Sequence, residues 1–338
     1  RVGDWDRVRP GTFTAAYARL CGPSKPLIWA EMGYNAWDMN RMAPDPEKLA
    51  SILAGLDFLV CVTSAWSETA WNADLVLPLS PYLERESLIA QLDGIRPGFL
   101  LRRRCVPPRF DTRSDWEIIS GLAQRIGLPS LAFGSAEDIW KFQLDGTGVR
   151  LQDFDAKGMV DLTGQPQYSR LTEGFRFPTD SGKIEMVSFR WRRQGLPSLG
   201  SYAPKSRPAA GMFRLTLGGC GLHSEGHTVN NPLLHKQMPE NVLWLNQTAA
   251  AALEIADGET VAVSAQDRSG RIKVRLSEFI HPEAAFTVTG FGRTLPPESR
   301  ARGRGLAANR LMPGGLDIGD PNGGGLALQE HEINVRKL

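Results

Sequence analysis

The sequence predicts an α/β protein in which a doubly wound, mostly parallel sheet is followed by a C-terminal β-barrel. Two observations lead to this fold class. Strand-like apolar runs alternate with helical segments between residues 26 and 105, as in the βαβ units of parallel sheets. From Phe213 onward, short strands separated by turn signals dominate, which is typical of barrels and sandwiches. We therefore predict a sheet domain at 1–105, an irregular connecting segment at 106–210 that packs on it, and a barrel at 211–338.

The sheet domain begins with an apolar run at 27–30, and a helix is expected from Pro46 through Leu53, because proline is well tolerated in a first helical turn. The uninterrupted apolar run at 58–62 predicts a strand buried on both faces. Ser67 predicts the cap of a short helix at 70–73, and another strand follows at 75–78. Ligands of doubly wound sheets sit beyond the carboxyl ends of the strands, so loops at 31–38, 63–69 and 79–86 are expected around a binding crevice.

The connecting segment contains one clear helix pattern, which is expected to begin after Ser114 as its cap. Its apolar positions recur every three or four residues and are expected to pack against the sheet domain; they are Trp116, Ile119, Leu122 and Ile126. In the barrel, alternation of charged and apolar residues at 271–276 predicts a strand with one buried face, preceded by a strand at 259–264 and a turn at 267–270. A single helix at about 248–253 interrupts the strands.

Composition excludes several classes of function. The 338 residues carry a formal net charge of +2, too small for a nucleic-acid footprint, and no run approaches the roughly 18 apolar residues that span a bilayer. The four cysteines are scattered singly, without the paired spacing of an iron–sulfur cluster or a structural zinc site. The chain starts at Arg1 without a targeting segment, so its start is interpreted as a processed end or a cut inside a longer protein.

The segment at 217–232 is the best candidate for a ligand site, because it follows a strand-like run and combines glycines with histidine, serine, threonine and asparagine. Glycines let a backbone approach a ligand closely, and neutral donors bind phosphate or heterocycle edges without burying a full charge. Such a segment suits a large polyanion. The alternative is an ordinary polar loop with an Asn-Pro turn.

Several segments together resemble one family. The residues at 67–78 and 82–84 are similar to a Thr-Glu-Thr-Ala-x-x-Ala-Asp-Val-Val-Leu-Pro signature, and those at 177–185 are similar to Thr-Pro-Ser-Gly-Lys-Ile-Glu. With 244–246 and 255–261, they resemble the carboxyl-terminal part of the large catalytic subunits of the molybdopterin oxidoreductases, the dimethyl sulfoxide reductase superfamily. Residues 228–234 and the carboxyl-terminal end look most like the thiosulfate, polysulfide, tetrathionate and arsenate reductase branch.

The resemblance implies that the barrel is of double-psi type and that the protein binds molybdenum, or tungsten, between two molybdopterin guanine dinucleotides. It implies no catalytic residue and no metal ligand in this chain. The residues expected to contact the cofactor are Gly33, Asn35, Thr63, Ser64, Thr69, Gly218, Gly219, His223, Ser224, His227, Thr228, Asn231, Asn246, Phe291 and Asn309.

The chain departs from the family pattern at two of these places. Thr63 stands where the family usually has an aspartate, and Gly33-Tyr34-Asn35-Ala36 stands where it has Gly-x-Asn-Pro. A threonine hydroxyl does not replace both hydrogen bonds that a carboxylate accepts from guanine or ribose. Trp66 and Trp71 are interpreted as packing residues, and Glu84, Arg85 and Glu86 as a solvated face.

By resemblance, the protein reduces a sulfur or arsenic oxyanion or a polysulfide, and this chain alone is expected to be inactive. A 4Fe-4S cluster is expected only in a missing amino-terminal part. The expected partners are an iron–sulfur electron-transfer subunit and a membrane anchor subunit, with a small-molecule substrate, no nucleic acid and no direct membrane insertion. A periplasmic location is also expected by resemblance. The alternatives are a non-catalytic relative that serves as a structural or electron-transfer scaffold, and an unrelated nucleotide-binding protein.

Overall fold

The computed structural model describes residues 28–32, 50–51, 53–93, 96–164, 174, 176–199, 204, 206–312 and 331–338, with the backbone alone at 28–32 and 190. The described residues form two compact units. Those within Arg1–Val76 and Tyr202–Leu338 make up the first unit, and those within Leu77–Ser201 make up the second. None of the helices in these ranges is long and apolar enough to cross a membrane. The predicted domain boundaries stay a prediction.

A three-stranded sheet has the order β1-β2-β3, with β1 at Ile28–Met32, β2 at Phe58–Thr63 and β3 at Leu75–Pro78. Strands β1 and β2 are parallel, with Ile28 opposite Phe58. The expected strand at 27–30 therefore extends to Met32, into the predicted loop. The expectation that β2 is buried on both faces is wrong at Phe58, which is 39% exposed at the open start of the strand, while Leu59, Cys61 and Val62 are buried.

Helix α1 (Glu68–Asn72) confirms the predicted cap, since the Ser67 Oγ accepts a hydrogen bond from the Ala70 amide at 3.2 Å. Asp74 then fixes the chain against β2. Its carboxylate accepts from the Leu59 amide at 2.7 Å, and its own amide donates to the Leu59 carbonyl at 2.9 Å. The bond to the carboxylate explains why an aspartate stands at this position of the motif.

The barrel of the first unit is closed, and its strands follow the order β10-β8-β11-β7-β12-β9. Its strands are β7 (Met212–Gly218), β8 (Leu243–Leu245), β9 (Thr260–Ala265), β10 (Arg268–Leu276), β11 (Ala284–Val288) and β12 (His331–Lys337). Strand β7 pairs parallel with β11, and β8 pairs parallel with β10. Two helices lie between the strands, α5 at Pro232–Gln237 and α6 at Gln247–Ala252.

The predicted alternation of β10 is confirmed, because Ile272 and Val274 are buried in the barrel core while Arg271, Lys273 and Arg275 are exposed. A strand with one face on the core must show this pattern. The turn before it is shorter than predicted. It lies at Gln266 and Asp267, and Gln266 has a φ of 53°, so β10 already begins at Arg268.

The second unit has an antiparallel sheet, β4-β5-β6, formed by Ala90–Leu92, Gly98–Leu100 and Met159–Asp161. Its helices are α2 (Asp115–Arg125), α3 (Ala136–Leu144) and α4 (Phe189–Arg193). A hydrophobic cluster forms around Leu101, Trp140, Leu144 and Phe154.

Helix α2 begins at the predicted cap, where Ser114 and Glu117 form a capping box. The predicted packing of its apolar face is wrong, however, because Ile119, Leu122 and Ile126 are 46%, 58% and 59% exposed. The buried positions are the small residues Ser120 and Ala123, which allow a close approach of the segment that follows.

The predicted solvated face at 84–86 is wrong for Glu86, which is part-buried and lies 3.0 Å from the Arg104 guanidinium. Burial opposes ionisation of Glu86. Hydrogen bonds from its own backbone amide, from Arg104 and from Trp116, with the charge of Arg104, outweigh burial and hold the pKa of Glu86 below its ordinary value of 4.5. Arg85 is paired with Asp115 at 3.1 Å.

Candidate functional site

The glycine-rich segment leaves the barrel at the end of β7 and runs to the start of α5. Gly218 is required for packing, because a Cβ there would lie 2.8 Å from the Phe286 ring. At Gly221 no atom of the described residues lies within 4 Å of the position of a Cβ. Gly219, Ser224 and His227 are exposed. The side chains of Ser224 and His227 and the residue Gly219 are therefore accessible at this segment.

His223 is buried, at 4% exposure, and both of its ring nitrogens have partners inside the protein. Nε2 lies 2.9 Å from the Met238 carbonyl, and Nδ1 lies 3.2 Å from the Thr228 hydroxyl. Since a carbonyl only accepts, Nε2 carries a proton and donates to Met238, and in a neutral ring Nδ1 then accepts from the Thr228 hydroxyl. The Thr228 oxygen in turn accepts from the Ser224 amide at 2.9 Å. The His223 side chain thus holds the segment together, whereas His227 is at its surface.

Asn231 and Asn246 both serve as helix caps. The Asn231 Oδ1 accepts from the first amides of α5, at 3.0 Å from Leu233 N. The Asn246 Oδ1 accepts from Thr248 N at 2.9 Å, and its Nδ2 donates to the Ile280 carbonyl at 2.9 Å. Asparagine immediately before a helix is the sequence signal for this role. Asn231 is exposed, so its amide group is also accessible from outside.

Phe291 and Asn309 lie inside the first unit. Phe291 is fully buried in a cluster with Val229, Val288 and Ala301, and its ring contacts His223 edge to face. Asn309 is buried, and its Nδ2 has no hydrogen-bond partner among the residues that the structure describes. A buried amide without a partner costs free energy, so such a group is a candidate for a ligand contact.

Three further predicted residues, Thr63, Ser64 and Thr69, lie in the stretch from the last residue of β2 into helix α1. The Thr63 hydroxyl donates to the Ala65 carbonyl at 2.8 Å and accepts from the Ala65 amide at 3.3 Å, so it stabilises its own turn. Ser64 is exposed, and Thr69 is buried. Gly33 and Asn35 lie outside the described residues.

A buried ion pair joins the β2–α1 region to the barrel, and the sequence pattern does not reveal it. The Arg293 Nη1 lies 2.6 Å from the Glu68 Oε2, with side chains 3% and 2% exposed. The Arg293 Nη2 donates to the Gly226 carbonyl at 2.7 Å, and the Thr294 amide donates to the other Glu68 oxygen at 3.2 Å. The pair brings together the two regions that the sequence analysis assigns to the ligand. The only local signal was Glu68 in its family-like motif.

Gly290 allows the backbone after β11 to approach the glycine-rich segment closely, and Gly292 allows the same backbone to approach residues 306–307. Both have positive φ, 96° and 78°. A Cβ on Gly290 would lie 2.5 Å from the Glu225 carbonyl carbon, and one on Gly292 would overlap the backbone of Leu306 and Ala307. Only glycine fits at both positions.

A mostly apolar cavity of about 470 Å³ opens beside these regions, lined by Ala65, Trp66, Trp71, Asn230, Pro296, Glu298, Ser299 and Arg300. The two tryptophans contact each other edge to face, with ring centroids 5.8 Å apart. Their interpretation as packing residues is only partly right, because they are 53% and 43% exposed. Among the described residues, no group of three or more His, Cys, Asp or Glu could hold a metal ion.

Two family domains match the chain in the order of the sheet and the barrel. Residues 22–125 match Molybdopterin oxidoreductase, and residues 215–325 match the Molydopterin dinucleotide binding domain. Acetylene hydratase from Pelobacter acetylenicus has a similar fold, with a TM-score of 0.80 over 96% of this chain and 46% of that one, at 19% identity.

Similar sequences have several activities. The thiosulfate reductase molybdopterin-containing subunit PhsA of Salmonella typhimurium is 25% identical over 310 residues, which cover 82% of this chain and 40% of that protein. The assimilatory nitrate reductase catalytic subunit of Bacillus subtilis is 26% identical over 297 residues, covering 80% of this chain and 40% of that protein. The chain thus spans about 40% of the length of these relatives. By its two matched domains, its fold and these relatives, the chain belongs to the molybdopterin oxidoreductases of the dimethyl sulfoxide reductase superfamily.

Proposed function

We propose that the face formed by the β2–α1 loop and the glycine-rich segment holds a molybdopterin guanine dinucleotide of a bis(molybdopterin guanine dinucleotide) cofactor. One observation carries this proposal: the Glu68–Arg293 pair and the Gly226 carbonyl bring together two regions whose sequences independently resemble cofactor-binding segments. When bound, the molybdenum or tungsten of this cofactor supplies two-electron redox chemistry. The chain itself supplies binding, orientation and electrostatics.

The residues present fit such a ligand. Gly219 and Gly221 are exposed, and so are the side chains of Ser224 and His227. These residues offer neutral hydrogen-bond donors to a diphosphate. Several such donors can hold a diphosphate without a lysine for each of its charges. The unpartnered Nδ2 of Asn309 offers a donor to an acceptor of the ligand. We assign diphosphate binding to the glycine-rich segment.

The test is the pterin and metal content of the protein purified from a host that makes the cofactor. We expect Asn309→Leu, which removes the unpartnered amide, to lower the pterin content. The matched control is Thr287→Val, because Thr287 also has a buried polar atom without a partner among the described residues but is not assigned to the ligand. Equal pterin content in both variants would contradict the role of Asn309. Absence of pterin from the unsubstituted protein would contradict the proposed function.

We also propose that the complete protein reduces a sulfur oxyanion, a polysulfide or an arsenic oxyanion. The similarity to a thiosulfate reductase subunit over 82% of this chain supports this substrate class. From the family resemblance alone we also propose a 4Fe-4S cluster in an amino-terminal part, an iron–sulfur partner subunit, a membrane anchor subunit and a periplasmic location. The chain alone is then inactive. Turnover by this chain with a reduced dye would refute that statement.

One observation favours a second function, that of a non-catalytic scaffold. Thr63 replaces the aspartate that is usual in the family. Its hydroxyl already donates a hydrogen bond to the Ala65 carbonyl and accepts one from the Ala65 amide. Guanine recognition at this position is then weakened. Metal analysis separates the two functions, since a scaffold would contain neither molybdenum nor tungsten.

A further inference from the structure

The Glu68–Arg293 pair is unusual because it is nearly inaccessible to solvent, at 2% and 3% exposure of the two side chains. Removing two charges from water carries a desolvation cost that their attraction often fails to exceed, so buried pairs are weak contributors to stability. One established use of buried polar contacts is to select a single arrangement of the elements they join. The partners of this pair indicate which arrangement that is.

On one side, the pair fixes the start of α1. Glu68 is the first residue of this helix, directly after Ser67 and the loop that leaves β2. Its second carboxylate oxygen accepts from the Thr294 amide at 3.2 Å. The direction of the β2–α1 loop is therefore tied to the backbone that follows Arg293.

On the other side, the pair fixes the turn at Glu225–His227. The second guanidinium nitrogen of Arg293 donates to the buried Gly226 carbonyl at 2.7 Å. Glu225 has a φ of 50°, and its carbonyl carbon would lie 2.5 Å from a Cβ on Gly290. The turn is thus held by Arg293 through a hydrogen bond and by Gly290 through close backbone packing. Ser224 and His227, which flank the Gly226 carbonyl, face outward.

We propose that Glu68 and Arg293 are positioning residues: their ion pair sets the β2–α1 loop and the 224–228 turn in one relative arrangement, and this arrangement presents the donors of both regions to an anionic ligand. This inference rests on the proposed function for the nature of the ligand. The ordering of the 224–228 turn by the ion pair does not depend on the proposed function.

The planar guanidinium is essential to this role, because one nitrogen contacts Glu68 while another contacts Gly226. Lysine at this position retains the charge but offers a single ammonium. Arg293→Lys should therefore keep an ion pair with Glu68 and lose the fixed fork that also reaches Gly226.

The experiment combines two measurements on the full protein: hydrogen exchange of peptides from 220–231, and the rate at which pterin is released, followed by fluorescence. For Glu68→Gln and Arg293→Lys we expect exchange in 220–231 to rise about tenfold or more, since each variant weakens a charge-assisted bond, and pterin release to accelerate by a similar factor. Peptides from β9 and β10 should change little. The control is Glu240→Gln, which removes the charge partner of Lys273 at 2.6 Å in an exposed pair, and should change neither measurement.

A further variant keeps the test valid where a single substitution prevents folding. Glu68→Leu with Arg293→Met removes both charges together and replaces them with apolar side chains, a change that buried ion pairs often tolerate. We expect this double variant to fold, to exchange faster in 220–231 and to release pterin faster. Unchanged exchange in 220–231 would overturn the inference whether or not pterin is present. Faster exchange with unchanged pterin release would overturn the link to the ligand. Lack of pterin in the unsubstituted protein would refute the proposed function instead.

Discussion

The strictest test of the barrel concerns Asn241, because both the oxygen and the nitrogen of its side-chain amide are hydrogen-bonded inside the protein. It is buried just before β8, and its Nδ2 donates to the carbonyls of Val288 at 2.7 Å and Leu306 at 2.9 Å. Its Oδ1 accepts from the Leu306 amide at 2.8 Å. Asn241 therefore joins the end of β11 to the segment that precedes Asn309.

The substitution Asn241→Ala removes three hydrogen bonds and leaves three backbone groups without these partners. At about 1 kcal/mol for each bond, the loss amounts to about 3 kcal/mol. Because each 1.4 kcal/mol is a factor of ten, amides that exchange by opening of this region should exchange about 150-fold faster. The matched control is Asn231→Ala, which removes an exposed helix cap and should cost about 1 kcal/mol.

The assay is native-state hydrogen exchange of the Leu306 amide and of β8 and β11. A local measurement is needed because two compact units need not unfold together, so that one global free energy of unfolding is not defined. The reasoning is refuted if Asn241→Ala costs no more than Asn231→Ala. It is also refuted if amides of the second unit lose as much protection, since Asn241 forms its hydrogen bonds with Val288 and Leu306, which belong to the first unit.

Three further variants test other parts of the structure. Phe291→Ala should destabilise the barrel by about 3–5 kcal/mol, because the ring is fully buried, and native-state hydrogen exchange of β7 and β11 would measure this loss; a loss below about 1 kcal/mol would contradict its burial. Gly292→Ala should lower the melting temperature more than Gly303→Ala, since both have positive φ but only Gly292 lacks space for a Cβ; equal effects would contradict the close packing. The pKa of Glu86 is lowered in the folded state, so its carboxylate stabilises the protein above about pH 4.5, and this contribution disappears as the pH falls through the lowered pKa. Glu86→Gln should therefore be destabilising near neutral pH, and this effect should shrink as the pH falls below about 4.5 in melting experiments; a difference independent of pH would show that charge is not the cause.

The sequence by itself determined the local elements and the family. Periodicity and caps were sufficient for β10, for α1 after Ser67 and for α2 after Ser114, because these features depend on neighbours within a few residues. The family-like motif at 67–78 and the glycine-rich segment also gave a prediction of where a ligand binds, since both consist of contiguous residues.

Tertiary structure alone decided which face of each element is buried and which distant residues meet. The apolar positions of α2 are exposed although their spacing predicts burial, because the segment that follows the helix approaches the small residues Ser120 and Ala123 instead. Glu68 and Arg293 are 225 residues apart in the chain, and no local pattern relates them. Their contact exists because the chain that leaves β11 passes through Gly290 and Gly292 and then reaches the start of α1. Long-range closure of this kind depends on the whole set of strand pairings, which no short segment of sequence encodes.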